Sequence, residues 1–256
     1  DSDIANITLA DLSKFEGKKE FNITKYEGRN YEMVMFNYDN EYLDDVNFRK
    51  AIISAIDREK LLKEAYVGNV NLSNFPLNTS SKYYNSNIKE IAYDKDESLK
   101  YLLSGLKSVN QSMEDKKQAE ENKANSEELQ GIVEDNSTSS KTTSDFTKKE
   151  IKEILNKIEL KIVVSENNSE RIKVAQTIRE DLDRIGIKTV INELNNKDLD
   201  KALNSKDYDL AIVGYSLPSI PDARDILKAC HIKDEKLSTY ITSLGNSTSE
   251  YETKKI

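Results

Sequence analysis

Large apolar residues recur along this chain with two different periods, and each period predicts an element. Val46, Phe48, Ala51, Ile52, Ala55 and Ile56 fall on one face of a 3.6-residue helix that starts just after Asp44 and Asp45. Asp57 offers a side-chain oxygen to cap a second helix, Arg58 to Tyr66, and Gly68 is placed to let the chain turn out of it. Leu99, Leu102, Leu103 and Leu106 predict a further helix from about Lys95 to Leu106. Beyond residue 150 the pattern is more regular. Ile158 to Val164 reads as a strand, and Ile172, Ala175, Ile178, Leu182 and Ile185 form a helical stripe. Gly186 sits where a left-handed terminator is wanted, and Ile187, Thr189 and Ile191 alternate in a second strand. This is a βαβ unit with parallel strands and a right-handed crossover. A short helix, Lys197 to Leu203, leads to Tyr208 to Gly214, apolar on both faces and so a central strand.

The remaining segments are less regular. Asp3-Ile4-Ala5 reads as a brief strand, and Thr8 can cap a turn through Leu9, Leu12 and Phe15. Phe21, Ile23 and Tyr26 lead to Glu27-Gly28-Arg29-Asn30, a turn with glycine available for positive φ. Tyr31 to Phe36 then returns antiparallel as a hairpin. Residues 69–91 are loop-like around Pro76. From 107 to 149 polar residues dominate, and such a stretch cannot bury enough surface to offset an ordering cost of about 1–2 kcal/mol per residue. It is expected to be a disordered, solvated insertion, with at most an exposed helix near Glu114 to Gln130. Residues 1–106 and 150–256 then form one discontinuous α/β lobe, a mixed sheet flanked by helices.

Composition narrows the function. The 256 residues are 37% hydrophobic and 33% charged, with net charge −8, which argues against nucleic acid as a partner. No apolar run approaches the roughly 20 residues of a membrane span. The chain opens at Asp1 with neither methionine nor signal peptide, as expected of a processed start or an excised piece. With one cysteine there is neither an internal disulfide nor a thiolate metal cluster. That Cys230 precedes the only histidine, His231, but neighbours on a helix point about 100° apart, which suits no nucleophile–base pair. The acidic runs Asp44-Asp45, Glu120-Glu121 and Glu127-Glu128 lack companion ligands or a partner carboxylate at fixed spacing. Neither a phosphate loop nor a nucleophile elbow nor a zinc signature is present. The expectation is a protein that is not an enzyme and holds neither cofactor nor metal.

Two segments are more specific. Phe36-Asn37 is followed by Asp44-Asp45-Val46-Asn47-Phe48-Arg49-Lys50-Ala51-Ile52 and then Ala55-Ile56-Asp57-Arg58. The second, Asp207-Tyr208-Asp209-Leu210-Ala211-Ile212-Val213-Gly214-Tyr215, comes after the Arg184-Ile185-Gly186-Ile187-Lys188 junction. In this order and separation they resemble the family 5 extracellular solute-binding proteins, which serve ABC importers for oligopeptides, dipeptides and, in some members, nickel or other small solutes. The resemblance covers about 1–106 and 150–225. It implies a lobe of the type II periplasmic-binding-protein fold, the second lobe of a two-lobe clamp, with Asp3-Ile4-Ala5 where the chain has just crossed over.

The resemblance also implies roles. The chain would capture a small solute, foremost a short peptide, together with a missing first lobe, and deliver it to an ABC permease outside the membrane. It would do so as a lipid-anchored cell-surface protein or a periplasmic one. Tyr215 stands at the family's aromatic, cleft-lining position, with Ser216 beside it. The family's acidic residue for a peptide amino group is not at its usual place, because Leu217, Pro218 and Ser219 intervene before Ile220-Pro221-Asp222. Asp222 takes that role if the loop is longer by a few residues. Asn37, Arg49, Asp57 and Gly214 are the structural positions of the motif, with Arg49 either an ion-pair partner or a ligand contact. The altered 217–222 loop and the long insertion keep a rival open, an extracytoplasmic interaction or signalling module that has lost solute capture.

Overall fold

The computed structural model describes residues 3–7, 9–26, 28–79, 81–82, 84–128, 148–218, 222–231 and 235–239. In chain order the elements are α1 (Leu9–Leu12), β1 (Asn30–Phe36), α2 (Glu41–Asp44), α3 (Val46–Ala55), α4 (Arg58–Tyr66) and α5 (Lys95–Glu128). There follow α6 (Lys148–Leu155), β2 (Glu159–Ser165), α7 (Ser169–Arg184), β3 (Lys188–Leu194), α8 (Asn196–Ser205), β4 (Leu210–Ser216) and α9 (Arg224–Ala229). The strands form one mixed sheet in the order β1-β4-β2-β3. β2 is parallel to β3 and to β4, and β1 runs antiparallel to β4.

Alternation along β4 explains its central place. Leu210 and Ile212 point to one side with Val34 and Phe36 of β1, where α3, α4, α7 and the first turns of α5 cover them. Ala211 and Val213 point to the other with Met33 and Met35, where Leu199 and Leu203 of α8 and Cys230 after α9 pack. Two apolar faces on one strand require helices on both, so the fold is a three-layer α/β/α structure. This is the mixed sheet flanked by helices that the sequence predicts.

The helices obey their caps. Asp45 accepts from the backbone N–H groups of Asn47 and Phe48 to start α3, and Asp57 accepts from Lys60 to start α4. Asn168 and Asn195 do the same for α7 and α8. Gly186 adopts φ +89 after α7. α3 and α5 cross closely because Gly105 lacks a side chain: a Cβ there would stand 2.7 Å from the Phe48 backbone nitrogen.

Four local expectations are corrected. Residues 21–26 form no strand, and β1 pairs with β4 instead of completing a hairpin. β4 supplies an uninterrupted apolar partner, whereas Phe21-Asn22-Ile23-Thr24 leaves Phe21 half-exposed. Gly28 does not take up the positive φ expected of it, and Asp3-Ile4-Ala5 is not a strand. Finally, the helix starting at Lys95 does not stop at Leu106 but continues to Glu128. No proline interrupts it, good helix formers follow, and Val109 is still buried at 5% exposure. From Gln111 to Glu120 its side chains are almost all solvent-facing. Residues 129–147, where most of the disordered insertion was expected, lie outside the described residues.

Candidate functional site

The order of the sheet locates the crevice where an open α/β sheet binds ligands. The crossover from β2 through α7 leads to β3 on one side, and the crossover from β3 through α8 returns to β4 on the other side of β2. The two connections leave the carboxyl ends of the parallel strands towards opposite faces, α7 on one and α8 on the other, so the candidate crevice is at the carboxyl ends of β2 and its neighbours. Ser165, the turn to Asn168 and the first residues of α7 lie at one margin. Gly214, Tyr215 and Ser216 end β4 at the other, with Glu32, Tyr31 and Asn30 of β1 directly opposite them in register.

Of the expected ligand-facing residues, Tyr215 and Ser216 stand at this end of β4. Ser216 is exposed. Tyr215 is half-buried on the α8 side, and its hydroxyl donates to Met35 Sδ at 3.7 Å, so its ring is laid along the sheet. A thioether is a weak acceptor, easily exchanged for an oxygen. Burial raises its phenol pKa, with a smaller contribution from nearby Cys230. Asp222 follows residues outside the described set, and its carboxylate is already engaged. Arg224 Nε lies 2.9 Å from both oxygens, Nη2 lies 2.5 Å from Oδ2, and the Arg224 backbone N–H donates to Oδ1 at 3.0 Å. The Arg224 hydrogen bond holds the Asp222 pKa below the usual carboxylate range.

The motif residues cluster elsewhere. Asn37 Nδ2 donates to the carbonyls of Tyr208 (2.8 Å) and Lys206 (3.0 Å). Asp209 accepts from Asn40 Nδ2 at 2.8 Å and from the Lys161 backbone N–H at 2.7 Å. This network ties the end of β1 to the start of β4, at the edge of the sheet remote from Tyr215. Arg49 Nη1 donates to the carbonyls of Leu43 (2.7 Å) and Asp44 (2.8 Å), and its guanidinium lies 4.7 Å from the centre of the Tyr38 ring. Asp57 caps α4 and donates its own N–H to Asp181 Oδ2 at 3.1 Å, which joins α4 to α7. Asp181 is 1% exposed and is also bonded by Arg184.

Gly214 is the exception, because it belongs to the crevice. Arg171, in the first turn of α7, reaches over it to Glu32. Its Nε donates to Oε2 at 2.7 Å and its Nη2 to Oε1 at 3.0 Å. A Cβ on Gly214 would fall 2.2 Å from Nη2 and 2.4 Å from Oε1, so a side chain there would push the two ends of this pair aside. Tyr66, closing α4, lies beside this pair. Its phenol pKa is pushed up to about 12, by burial first and then by the Glu32 charge. Sequence reasoning missed Glu32, Tyr66 and Arg171. Glu32 alternates with apolar neighbours as any solvent-facing strand residue does, and Arg171 comes 139 positions later, so no local spacing links them.

Cys230 and His231 show no nucleophile–base arrangement. Cys230 closes α9, burial raises its thiol pKa, and His231 follows with φ +50. Among the described residues no group of three His, Cys, Asp or Glu side chains is placed to hold a metal ion, and no helix is long and apolar enough to cross a membrane. A surface depression of about 410 Å³ between α6 and the α7–β3 turn, lined by Ile151, Leu155, Gly186 and Lys188, lies at the amino end of β3, away from this crevice.

Comparison with known proteins agrees with this geometry. Residues 1–234 match the middle region of the bacterial extracellular solute-binding proteins, family 5. The oligopeptide-binding protein AppA of Bacillus subtilis, solved with a nonapeptide, superposes with a TM-score of 0.68 at 19% identity, over 98% of this chain and 45% of its own. NikZ of Campylobacter jejuni, solved with Ni(L-His), gives 0.65 at 20% identity, over 97% and 45%. The heme-binding protein A of Haemophilus influenzae is 26% identical over 94 residues, 37% of this chain and 17% of that protein. The chain thus spans less than half the length of the relatives it matches. It belongs to the family 5 bacterial extracellular solute-binding proteins.

Proposed function

We propose that this chain is the second lobe of the solute-binding component of an ABC importer. It takes a small solute, foremost a short peptide, against a first lobe and delivers it to the permease from outside the membrane, as a lipid-anchored or periplasmic protein. The observation that carries this reading is the carboxyl end of β4, where the Arg171–Glu32 pair crosses Gly214 on the α7 face and Tyr215 lies on the α8 face, in a chain of a solute-binding family. A relative that superposes over nearly this whole chain holds a nonapeptide, although others hold nickel–histidine or heme, so family alone does not choose the solute. Capture between two lobes needs neither cofactor nor metal, since closure about a hinge buries the solute on both sides.

One observation favours the rival reading of an interaction or signalling module: the Asp222 carboxylate is taken by Arg224 instead of being open to a solute's ammonium. Native mass spectrometry of the full-length protein, released gently from its host, separates the two. A peptide-sized adduct that disappears in Tyr215→Ala supports solute capture. A clean apo mass, with no thermal shift in peptide mixtures, supports the module.

A further inference from the structure

We infer that Arg171 is a solute-contacting residue that selects for a carboxylate, and that Glu32 is the positioning residue that aims it. The inference rests on the solute-capture reading and deepens it. Arg171 stands at the topological switch point, on the first turn that follows β2, where ligands of open α/β sheets bind. Glu32 grips the guanidinium by its Nε and one Nη2 hydrogen. The two hydrogens on Nη1 and the second on Nη2 have no partner among the described residues. A guanidinium carries five donors in a rigid plane, so two taken by Glu32 leave a second edge oriented for another planar acceptor.

Further facts fit a contact role better than a purely structural one. The side chain is 20% exposed and Glu32 is 32% exposed, so solvent, and hence solute, reaches the pair. The pair is bidentate yet uses only two of the five guanidinium donors. Gly214 leaves the space the guanidinium passes through: a Cβ there would stand 2.2 Å from Nη2 and push that end aside. Lys173, two residues on, pairs with Glu64 at 3.8 Å, so it is not a competing free cation. A solute carboxylate would complete a Glu32–Arg171–carboxylate bridge in which one guanidinium serves two acceptors.

The test uses the full-length protein and two synthetic pools of tri- to pentapeptides of identical composition, one ending in a free carboxylate and one in a C-terminal amide. Retention is read by mass spectrometry after equilibrium dialysis, and circular dichroism checks each variant's fold. The expected result is a preference of about tenfold or more for the free acids in the unmodified protein, the size of a charge-assisted hydrogen bond. That preference is lost in Arg171→Gln, reduced in Arg171→Lys, which keeps the charge but not the planar fork, and reduced in Glu32→Gln, which retains the side chain's shape but grips weakly. If Arg171→Gln does not fold, Gly214→Ala gives the same answer by displacing the guanidinium. Equal retention of both pools by the unmodified protein, or a preference surviving both Arg171→Gln and Gly214→Ala, overturns the inference and leaves solute capture standing. Retention of neither pool overturns the peptide reading, and the inference falls with it.

Discussion

The Asn37 side-chain amide donates to the main-chain carbonyl of Tyr208 at 2.8 Å, so the residue that ends β1 is bonded to the residue that leads into β4. Asn37 is 9% exposed, and its Oδ1 also accepts from the Asp39 backbone N–H. Asn37→Ala leaves the Tyr208 and Lys206 carbonyls without their donor and should lower stability by about 1–3 kcal/mol. Asn37→Asp should cost at least as much at pH 7, because a carboxylate would face two carbonyl oxygens. It should recover partly below pH 4, where the protonated acid can donate again. Urea denaturation at the two pH values checks both; unchanged midpoints would remove Asn37 from the list of structural determinants.

That bond also shows what a sequence can and cannot reveal. α3, α4 and the βαβ unit were legible because their signals are local. Asp57 stands three residues before the N–H it accepts from, and Gly186 takes its positive φ right after α7. The antiparallel partner of β1 was not, since Tyr31–Phe36 lies far along the chain from Leu210–Ser216 and a nearer apolar stretch competed for the pairing. Tyr215 and Ser216 could be singled out by resemblance, and they end β4. Glu32 and Arg171 could not, because their relation exists only once β1, β4 and α7 are packed.

Gly105 and Gly28 make opposite predictions under the same substitution. At Gly105 a Cβ would stand 2.7 Å from Phe48 N and 3.0 Å from Asp45 Oδ1, so Gly105→Ala must part α3 from α5. Despite alanine's better helix propensity, overpacking should destabilise by about 1–3 kcal/mol. Gly28 has nothing within 4 Å and no left-handed backbone, and Gly28→Ala should lie within about 0.5 kcal/mol of the parent. Paired thermal melts decide: equal melting temperatures would mean that the helix crossing is not close.

Alkaline pH should unfold this chain. Tyr31 and Tyr66 have phenol pKa values raised from 10.0 to about 12, chiefly by burial. The unfolded chain releases those protons near 10 and the folded chain only near 12, so stability is whole below pH 10 and falls as pH rises towards 12. The urea midpoint should therefore drop between pH 10 and 11.5, and the combined Tyr31→Phe, Tyr66→Phe variant should drop less steeply. Absorbance at 295 nm should show tyrosinate forming late in the folded protein. An identical slope in parent and variant would assign the alkaline transition to other groups.

The Asp222–Arg224 chelate predicts how amino-group recognition responds to a single change. With four contacts from Arg224 on one carboxylate, a solute ammonium must displace a guanidinium. If Asp222 lines the solute site, Arg224→Gln should improve retention of free-amino peptides over N-acetylated ones by about tenfold, the worth of one hydrogen bond to a charged group. Asp222→Asn in that background should abolish the gain. No change in the ratio places Asp222 outside the solute site and leaves it a turn-forming residue.

Val67 offers a gain in stability at no cost to the crevice residues. It caps the end of α4 with φ +52, a left-handed conformation in which a β-branched side chain crowds its own backbone, and it is 78% exposed, so its packing contributes little. Relief of left-handed strain is about 1–2 kcal/mol, and the extra freedom of glycine in the unfolded chain takes back about 0.5–1. Val67→Gly should thus stabilise by about 0.5–1 kcal/mol. Lys206 has φ +56 at the end of α8 but is unbranched, so Lys206→Gly should gain less; it also gives up the 2.8 Å contact of Lys206 Nζ with Asp39 Oδ2. The ordering is the sharper test, because both sites share the same backbone geometry and differ mainly in branching. A larger gain at Lys206 than at Val67, read from urea midpoints, would show that side-chain crowding is not what the left-handed caps cost this fold.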